Sequence, residues 1–299
     1  GNADSISTHF DDIDYSLRIN DDDSARFSRT PSVASNQKTY TWSGWVKKGT
    51  NGIEQAFWSA FYGTSGRYAY MGFNTNDNLV VYSGVYTTGS STSTLYRLES
   101  TAKFRDPSSW MHITITVDST DATASERVKV HMNGKRLTDF SMETYPSLNG
   151  DSFYNSTTAP HHISTYDGGT GWRWDGYMSD VHFIDGQPLT PDEFGQFNEA
   201  GQWGPKTYSG SYGTNGFHLD FADDADLGND VSGNDNDWTP TNLAASDRDG
   251  DTPTNNIATW NPLKSSSTWT LSEGNRRGVI STFDKNLIAT IGASGGKFY

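Results

Sequence analysis

Alternation of apolar and polar residues dominates this chain and predicts β-strands. In TYTWSGWVKK, residues 39–48, the alternation places Tyr40, Trp42 and Val46 on one face and Trp45 with Lys47 on the other. Similar runs cover residues 55–62, 67–73, 78–85, 95–99 and 110–117. Turn residues separate the runs at intervals of about eight to twelve residues, which is typical of an all-β sandwich. We therefore predict an all-β fold.

Two turns between these strands can be predicted from residue type. The run RVKVHMNGKRL, residues 127–137, carries Asn133 and Gly134, the dipeptide that best suits the type I′ turn of a β-hairpin. Near the start of the chain, an acidic turn at residues 21–23 separates two short strand-like runs. We expect these two runs to pair as an opening hairpin.

The segment GYMSDVHFIDGQPLTPDEFGQF, residues 176–197, predicts a strand followed by a capped helical turn. Its apolar positions change parity once, which indicates a β-bulge near Ser179 and Asp180. After the strand, Thr190 can cap a helix, Pro191 suits the first helical position, and Glu193 completes a capping box.

These pieces resemble a known family when they are taken in order. A Trp, the run WMHITITVD, the strand VKVHMNGKRL and the closing strand with its capped turn are similar to those of the laminin-G-like jelly rolls, which are concanavalin A-like sandwiches. The resemblance covers roughly residues 13–200. It implies an antiparallel β-sandwich that recognises surfaces, and we place this domain at residues 1–204.

The remainder of the chain differs in composition. Residues 205–264 are acidic and rich in Gly, Asn and Asp, so we expect a connector or a packed arm there. This stretch resembles the connecting region of tail-fibre or adhesin-like proteins of marine bacterial viruses. Residues 265–299 resemble the first strands of a SPRY-like sandwich, a smaller C-terminal β segment. We expect a processed or truncated chain, or a variant that ends early.

Composition and charge exclude several classes of function. The chain has a net charge of −14, with 29 Asp and 7 Glu, so binding to nucleic acid is not expected. No cysteine is present, which excludes disulfides and thiolate metal sites. No apolar run approaches membrane length, so we expect no membrane insertion.

Two patterns in the sequence contain residue types that bind metals. The acidic segment at residues 220–237 is the better candidate for calcium, which prefers oxygen-rich loops, and its possible ligands are Asp223, Asp226, Asp230 and Asp237. The alternative is a series of Asx turns. The adjacent histidines His161 and His162 would point to opposite faces of a strand, so we expect an exposed polar pair and no zinc site.

The sequence does not favour catalysis. A laminarinase-type glycosidase would need the strand pattern ExDxxE, which projects two carboxylates into one cleft, and this pattern does not occur. A GxSxG nucleophile elbow is also absent from the sequence. We therefore expect a protein that is not an enzyme, with no cofactor apart from possible calcium.

The segment STYDGGTGWRWDGY, residues 164–177, contains the ingredients of a glycan site. Sugar rings stack on aromatic side chains while carboxylates and amides bind the hydroxyls. The candidate residues are Tyr166, Asp167, Trp172, Trp174 and Asp175. If a strand follows the glycines, Trp172 and Trp174 share one face. Burial in the core is the alternative for each Trp, above all for Trp174.

The family resemblance implies a role at a surface. We expect a non-enzymatic tail-fibre or adhesin protein on a virion surface, outside the cell, that binds a host surface glycan. Its other partners would be virion proteins and further copies of itself, as a trimer. The alternative is a structural protein that decorates a capsid or tail, or builds an extracellular filament, through an arm packed on neighbouring subunits.

Overall fold

The chain folds as an antiparallel β-sandwich, which confirms the predicted fold class. The structure, a computed structural model, describes residues 10–63, 66–86, 93–169, 171–263, 269–281 and 286–292. Of the predicted C-terminal segment, residues 265–268, 282–285 and 293–299 lie outside this part of the chain. Within the described residues, two eight-stranded sheets enclose one hydrophobic core.

The strands are short, as the turn spacing predicts. They are β1 (Ser16–Ile19), β2 (Arg26–Arg29), β3 (Thr39–Lys48), β4 (Gln55–Phe61), β5 (Gly66–Phe73), β6 (Asn78–Tyr86), β7 (Ser93–Lys103), β8 (Met111–Asp118), β9 (Val128–Met132), β10 (Lys135–Arg136), β11 (Phe140–Thr144), β12 (His161–Ile163), β13 (Gly176–Asp185), β14 (Gly195–Phe197), β15 (Trp203–Pro205), β16 (Phe217–Leu219), β17 (Thr239–Thr241), β18 (Arg248–Asp249), β19 (Trp269–Ser272) and β20 (Arg277–Ile280). Short 3₁₀ turns span Asp21–Asp23, Ala124–Glu126, Pro191–Glu193 and Ala245–Asp247.

The first sheet has the order β10-β9-β8-β3-β13-β1-β18, and the second has the order β11-β7-β6-β5-β4-β12-β2-β17. Strand β16 also belongs to the first sheet, beside β13. It pairs with Val181, His182 and Phe183, whereas β1 pairs with Gly176, Tyr177 and Met178. The two strands therefore occupy the same edge of β13 on either side of residues 179–180.

The predicted opening hairpin is wrong. Strand β1 pairs with β13 and β18 in the first sheet, while β2 pairs with β12 and β17 in the second. The 3₁₀ turn Asp21–Asp23 and the left-handed Ser24 carry the chain from one sheet to the other. Residue pattern alone cannot distinguish such a crossover from a hairpin, because both need a polar turn between two short strands.

Three other local predictions have different outcomes. The β-bulge is confirmed, since the register of β13 against β3 shifts between Ser179 and His182 and Asp180 has a φ of 50°. The type I′ turn is supported by positive φ at Asn133 and Gly134. The capping box is wrong, because Thr190 makes no side-chain cap bond and the helical turn is only Pro191–Glu193. The chain then enters β14.

Aromatic side chains fill the core, as the alternation in β3 predicts. Trp42, Trp58, Trp174 and Tyr40 are among the largest fully buried side chains. Trp45 lies on the other face of β3, in a small cluster with Trp110 and Tyr177. Large rings thus supply buried area that the scarce aliphatic residues do not.

Residues 205–249 pack onto the sandwich as an arm and add three strands to it. β16 and β18 join the first sheet and β17 joins the second. In this way β17 and β18 cover sheet edges that would otherwise expose unpaired backbone groups. Strands β19 and β20 pair only with each other among the described strands.

The described residues contain no helix with the length and apolar character to cross a bilayer.

Candidate functional site

Aromatic side chains cover the outer face of the second sheet. Tyr70 on β5 lies opposite Tyr82 on β6, which lies opposite Arg97 on β7. The Tyr70 and Tyr82 rings stack at 5.3 Å, and Tyr68 stacks on Tyr82 at 5.1 Å. Residues between them, such as Ala69, point into the core, so strand alternation produces this arrangement.

The loop before β13 brings two more rings onto this face. Trp172 approaches Tyr166 at 4.4 Å and Tyr70 at 4.8 Å, and both Tyr166 and Trp172 are half-buried. Tyr166 also contacts Phe61 at 5.0 Å. We call this set of side chains the aromatic face; it consists of Phe61, Tyr68, Tyr70, Tyr82, Tyr166 and Trp172.

Hydrogen bonds fix the loop in this position. The Asp167 carboxylate accepts the backbone N–H groups of Gly169, at 3.2 Å, and Gly171, at 2.9 Å. Trp172 has a φ of 49°, and its carbonyl accepts the N–H of Ala56 at 2.7 Å. Of the five predicted glycan residues, Tyr166 and Trp172 therefore contact each other through their rings, and Asp167 stabilises the loop that carries both.

A groove of about 510 Å³ adjoins the aromatic face. Its lining includes Phe61, Tyr62, His162 and Asp167. Tyr62 is 52% exposed, so its ring is accessible to a ligand. His162 is buried, which lowers the pKa of its imidazole to about 4, and its Nδ1 has no hydrogen-bond partner. The groove thus combines aromatic surface with neutral and anionic polar groups.

The structure separates Trp174 from this site. Trp174 is 0% exposed and packs against Phe57 and Phe73 in the core. The expectation that it shares a face with Trp172 is wrong, because residues 171–175 do not form a strand and the positive φ of Trp172 breaks the alternation. No surface of Trp174 is available to a sugar.

Asp175, which follows the buried Trp174, contacts Gly49 and Gln55, and the pKa of its carboxyl is shifted. Its backbone carbonyl accepts the N–H of Gly49 at 2.8 Å. Burial raises the pKa of its carboxyl to about 7, and the nearby charges of Asp21 and Asp22 add to this effect. The carboxyl is therefore partly protonated near neutral pH.

The four aspartates predicted to bind calcium form turns. Asp223 accepts the N–H of Ala225, Asp226 accepts that of Gly228, and Asp237 accepts that of Asp230. Asp230 is 5% exposed, and its carboxylate accepts N–H groups from three residues, namely His218, Ser232 and Asn236. The bonds from Asp223, Asp226 and Asp230 to the N–H two residues later are those of the Asx-turn alternative, and the other bonds link residues farther apart in the chain. Calcium at this segment stays a prediction.

The histidines behave differently from the expectation. His161 and His162 are not an exposed pair, since they are 4% and 6% exposed on β12.

A different group of side chains lies together on the first sheet, where one ligand atom from each of Asp180, His182 and His218 lies within 4.8 Å of the others. Among the described residues this is the one group of three or more potential metal ligands so placed.

The sequence signal for several of these residues was weak. Tyr68 and Tyr70 alternate with buried residues of β5, a pattern that could have indicated an outward aromatic pair. Asp180, His182 and His218 carry no recognisable spacing, because the bulge and the pairing of β16 with β13 bring them together.

Several solved structures have similar folds. They include a heptameric SAP-like pentraxin from Limulus polyphemus, at 16% identity and a TM-score of 0.38, where the match covers 61% of this chain and 80% of the pentraxin. A putative carbohydrate binding protein from Bacteroides ovatus has 13% identity and a TM-score of 0.39, with coverage of 60% and 45%. The CBM40 of a Ruminococcus gnavus sialidase, bound to α2,3-sialyllactose, has 13% identity and a TM-score of 0.36, with coverage of 53% and 81%.

Similarities at this level say nothing about the ligand of this chain. No curated protein matches the sequence at a significant level. The family model described as the concanavalin A-like lectin/glucanases superfamily matches residues 20–194, more than half of the chain. These residues contain β2 to β13 and the aromatic face. The chain therefore belongs to the concanavalin A-like lectin/glucanase superfamily.

Proposed function

We propose that this chain is a non-enzymatic lectin-like protein that binds a glycan at the aromatic face and the adjoining groove. The observation that carries the proposal is the pair of half-buried rings, Tyr166 and Trp172, at 4.4 Å from each other. Beside them the groove offers the exposed ring of Tyr62 and the Asp167 carboxylate. Rings that stack on sugar faces, together with oxygens that accept hydroxyl hydrogens, are the usual elements of such a site.

The polar groups of this surface suit a neutral sugar. Burial raises the pKa of both the Tyr70 and the Tyr166 hydroxyl above the ordinary value, so both remain protonated at neutral pH and can donate hydrogen bonds. Arg97 is paired with Glu99 at 2.6 Å, which offsets its charge. Single sites of this kind are weak, and several copies on one particle would strengthen attachment.

The test is binding of the labelled protein to a panel of bacterial cells and their extracted polysaccharides. We expect Trp172→Ala and Tyr62→Ala each to weaken binding about tenfold or more, equivalent to about 1.4 kcal/mol. Phe197→Ala is the matched control, because Phe197 is 40% exposed on β14, outside both large sheets. Unchanged binding by both test variants would contradict the proposal. A further measurement with a chelator, followed by addition of either Ca²⁺ or Zn²⁺, tests calcium: recovery of binding with Ca²⁺ alone would support a calcium site at the acidic segment.

We further propose that the protein is a tail-fibre or adhesin component on a virion surface, working outside the cell as a homotrimer with other virion proteins as neighbours. Support comes from the sequence resemblance of residues 205–264 to connectors of such proteins, and of residues 265–299 to a SPRY-like start. Sedimentation of the purified chain tests the trimer, and a monomer at all concentrations contradicts it.

The second candidate function is structural. It requires an arm that packs on neighbouring subunits, either on a particle or in a filament. Tyr166 and Trp172 keep part of their ring surface exposed beside the groove, which favours the adhesin. The arm adds three strands to its own sandwich, which accounts for its order without a neighbouring subunit. Self-assembly of the purified protein without binding to any polysaccharide would favour the structural role instead.

A further inference from the structure

The bulge in β13 gathers three potential ligands at one point. Asp180 lies in the bulge, and His182 follows it on the outer face of the first sheet. His218 on β16 lies directly opposite His182, and the two imidazole rings stack at 4.0 Å. Both histidines direct Nε2 toward the same carboxylate oxygen of Asp180, at 3.1 Å for His182 and 2.7 Å for His218.

These distances are close to those of a tetrahedral metal site. With bonds of about 2.0–2.1 Å, two ligand atoms of a zinc ion lie about 3.3 Å apart. The Asp180 oxygen is within about 0.6 Å of that separation from each nitrogen, and all three atoms lie within 4.8 Å of one another, so side-chain rotation would bring them onto one ion. Two imidazoles and one carboxylate suit zinc and similar late first-row ions better than calcium, which prefers oxygen ligands.

A second observation points to a ligand. His182 is 2% exposed, yet its Nε2 has no hydrogen bond of acceptable geometry, and it lines a cavity together with Asp180 and His218. Its other nitrogen, Nδ1, lies 3.0 Å from the hydroxyl of Tyr212. If Nδ1 donates its hydrogen to Tyr212, the lone pair of Nε2 faces the Asp180 carboxylate oxygen, and a cation between the two atoms would satisfy both.

The cavity provides both an entry path and an open position. Its volume is about 210 Å³, and its walls carry Asp11, Asp12, Asp14 and Asp220 in addition to the three ligands. This concentration of carboxylates raises the local concentration of cations. The space above the triad can hold a water molecule as the fourth ligand.

We propose that Asp180, His182 and His218 form a binding site for a divalent zinc-class cation, with water in the fourth position. The ion links the β13 bulge to β16 and so fastens the arm to the sandwich. The site lies on the first sheet, whereas the aromatic face lies on the second. The two proposals can therefore fail independently.

The test is zinc titration of the full chain after removal of metals with a chelator and dialysis. We expect one Zn²⁺ per chain by calorimetry and elemental analysis, and a higher melting temperature when zinc is present. Co²⁺ used as a probe should produce the intense visible bands of tetrahedral coordination. A tenfold excess of Ca²⁺ over Zn²⁺ should not displace the zinc.

The variants Asp180→Asn and His218→Ala test the ligands. Asn tolerates the left-handed backbone at position 180, so Asp180→Asn removes the charge while it keeps the bulge. We expect each variant to weaken zinc binding at least about 100-fold and to abolish the thermal shift. His131→Ala, on β9, removes a histidine outside the triad and should bind zinc as the wild type does. A wild-type chain that binds no zinc, or variants that bind it equally well, would overturn the proposal.

Discussion

Replacement of Asp251 by alanine should strongly destabilise the protein, because it leaves a lysine charge buried without its partner. Asp251 is 0% exposed and Lys47 is 1% exposed, and Lys47 Nζ donates to the carboxylate at 2.8 Å. The second carboxylate oxygen accepts the indole N–H of Trp110 at 2.9 Å and the backbone N–H of Ile257 at 3.2 Å. One side chain thus connects β3, the loop before β8 and the region after β18.

The size of the expected loss of stability follows from the burial of both Asp251 and Lys47. Removal of one partner of a buried ion pair costs about 3–5 kcal/mol, whereas an exposed pair contributes about 0–1 kcal/mol. Asp224→Ala is the matched control, because Asp224 pairs with Arg248 at 3.1 Å and its side chain is 55% exposed. At about 2–4 °C for each kcal/mol, Asp251→Ala should lower the melting temperature by about 6–20 °C. The control should change it by less than about 4 °C.

Calorimetry or circular dichroism during heating measures both variants. The double variant Lys47→Met with Asp251→Ala should regain part of the lost stability, since it removes the uncompensated charge. Equal melting temperatures for Asp251→Ala and Asp224→Ala would refute the reasoning, and with it the packing of residues 251–257 on the sandwich. A double variant less stable than Asp251→Ala would also refute it.

Two further predictions concern the region of the aromatic face. The pKa of Asp175 is raised from 3.8 to about 7, mainly by burial and then by Asp21 and Asp22, so the folded state keeps a proton that the unfolded state releases between these pH values. Asp175→Asn should therefore gain stability relative to the wild type as pH rises from 4 to 7, reaching about 1–3 kcal/mol above pH 7, with no advantage below pH 4; urea unfolding of both proteins at several pH values checks this. At Gly84 an added Cβ would collide with the hydroxyl of Tyr82, so Gly84→Ala should displace that ring. Because Tyr82 is 3% exposed and stacks with Tyr68 and Tyr70, its displacement disturbs the whole tyrosine stack, and we expect glycan binding to weaken severalfold. Undiminished binding would argue against a role for the stack.

The strands could be predicted because their signal is local. Alternation in β3, the Asn133–Gly134 turn and the parity change before Asp180 each depend on neighbouring residues alone. The prediction of an opening hairpin was wrong because the pairing of a strand is not decided by neighbouring residues. Whether β1 pairs with β2 or with β13 depends on residues more than 140 positions away, which no local pattern contains.

The candidate site could be predicted only in part. Tyr166, Asp167 and Trp172 stand out in the sequence because aromatic and acidic residues gather there beside glycines. The burial of Trp174 depends on the backbone of residues 171–175. A positive φ at Trp172 places the indoles of Trp172 and Trp174 on opposite sides of the sheet. Alternation holds only where the chain is extended.

The sequence by itself determined the β-rich character of this protein, its aromatic core, most of its strand positions and its family. These properties follow from residue type and from period-two spacing. Only the tertiary structure decided which strands pair, which rings remain exposed, and that Asp180, His182 and His218 meet. Those outcomes require contacts between residues far apart in the chain, and such contacts exist only once the two sheets and the arm have packed together.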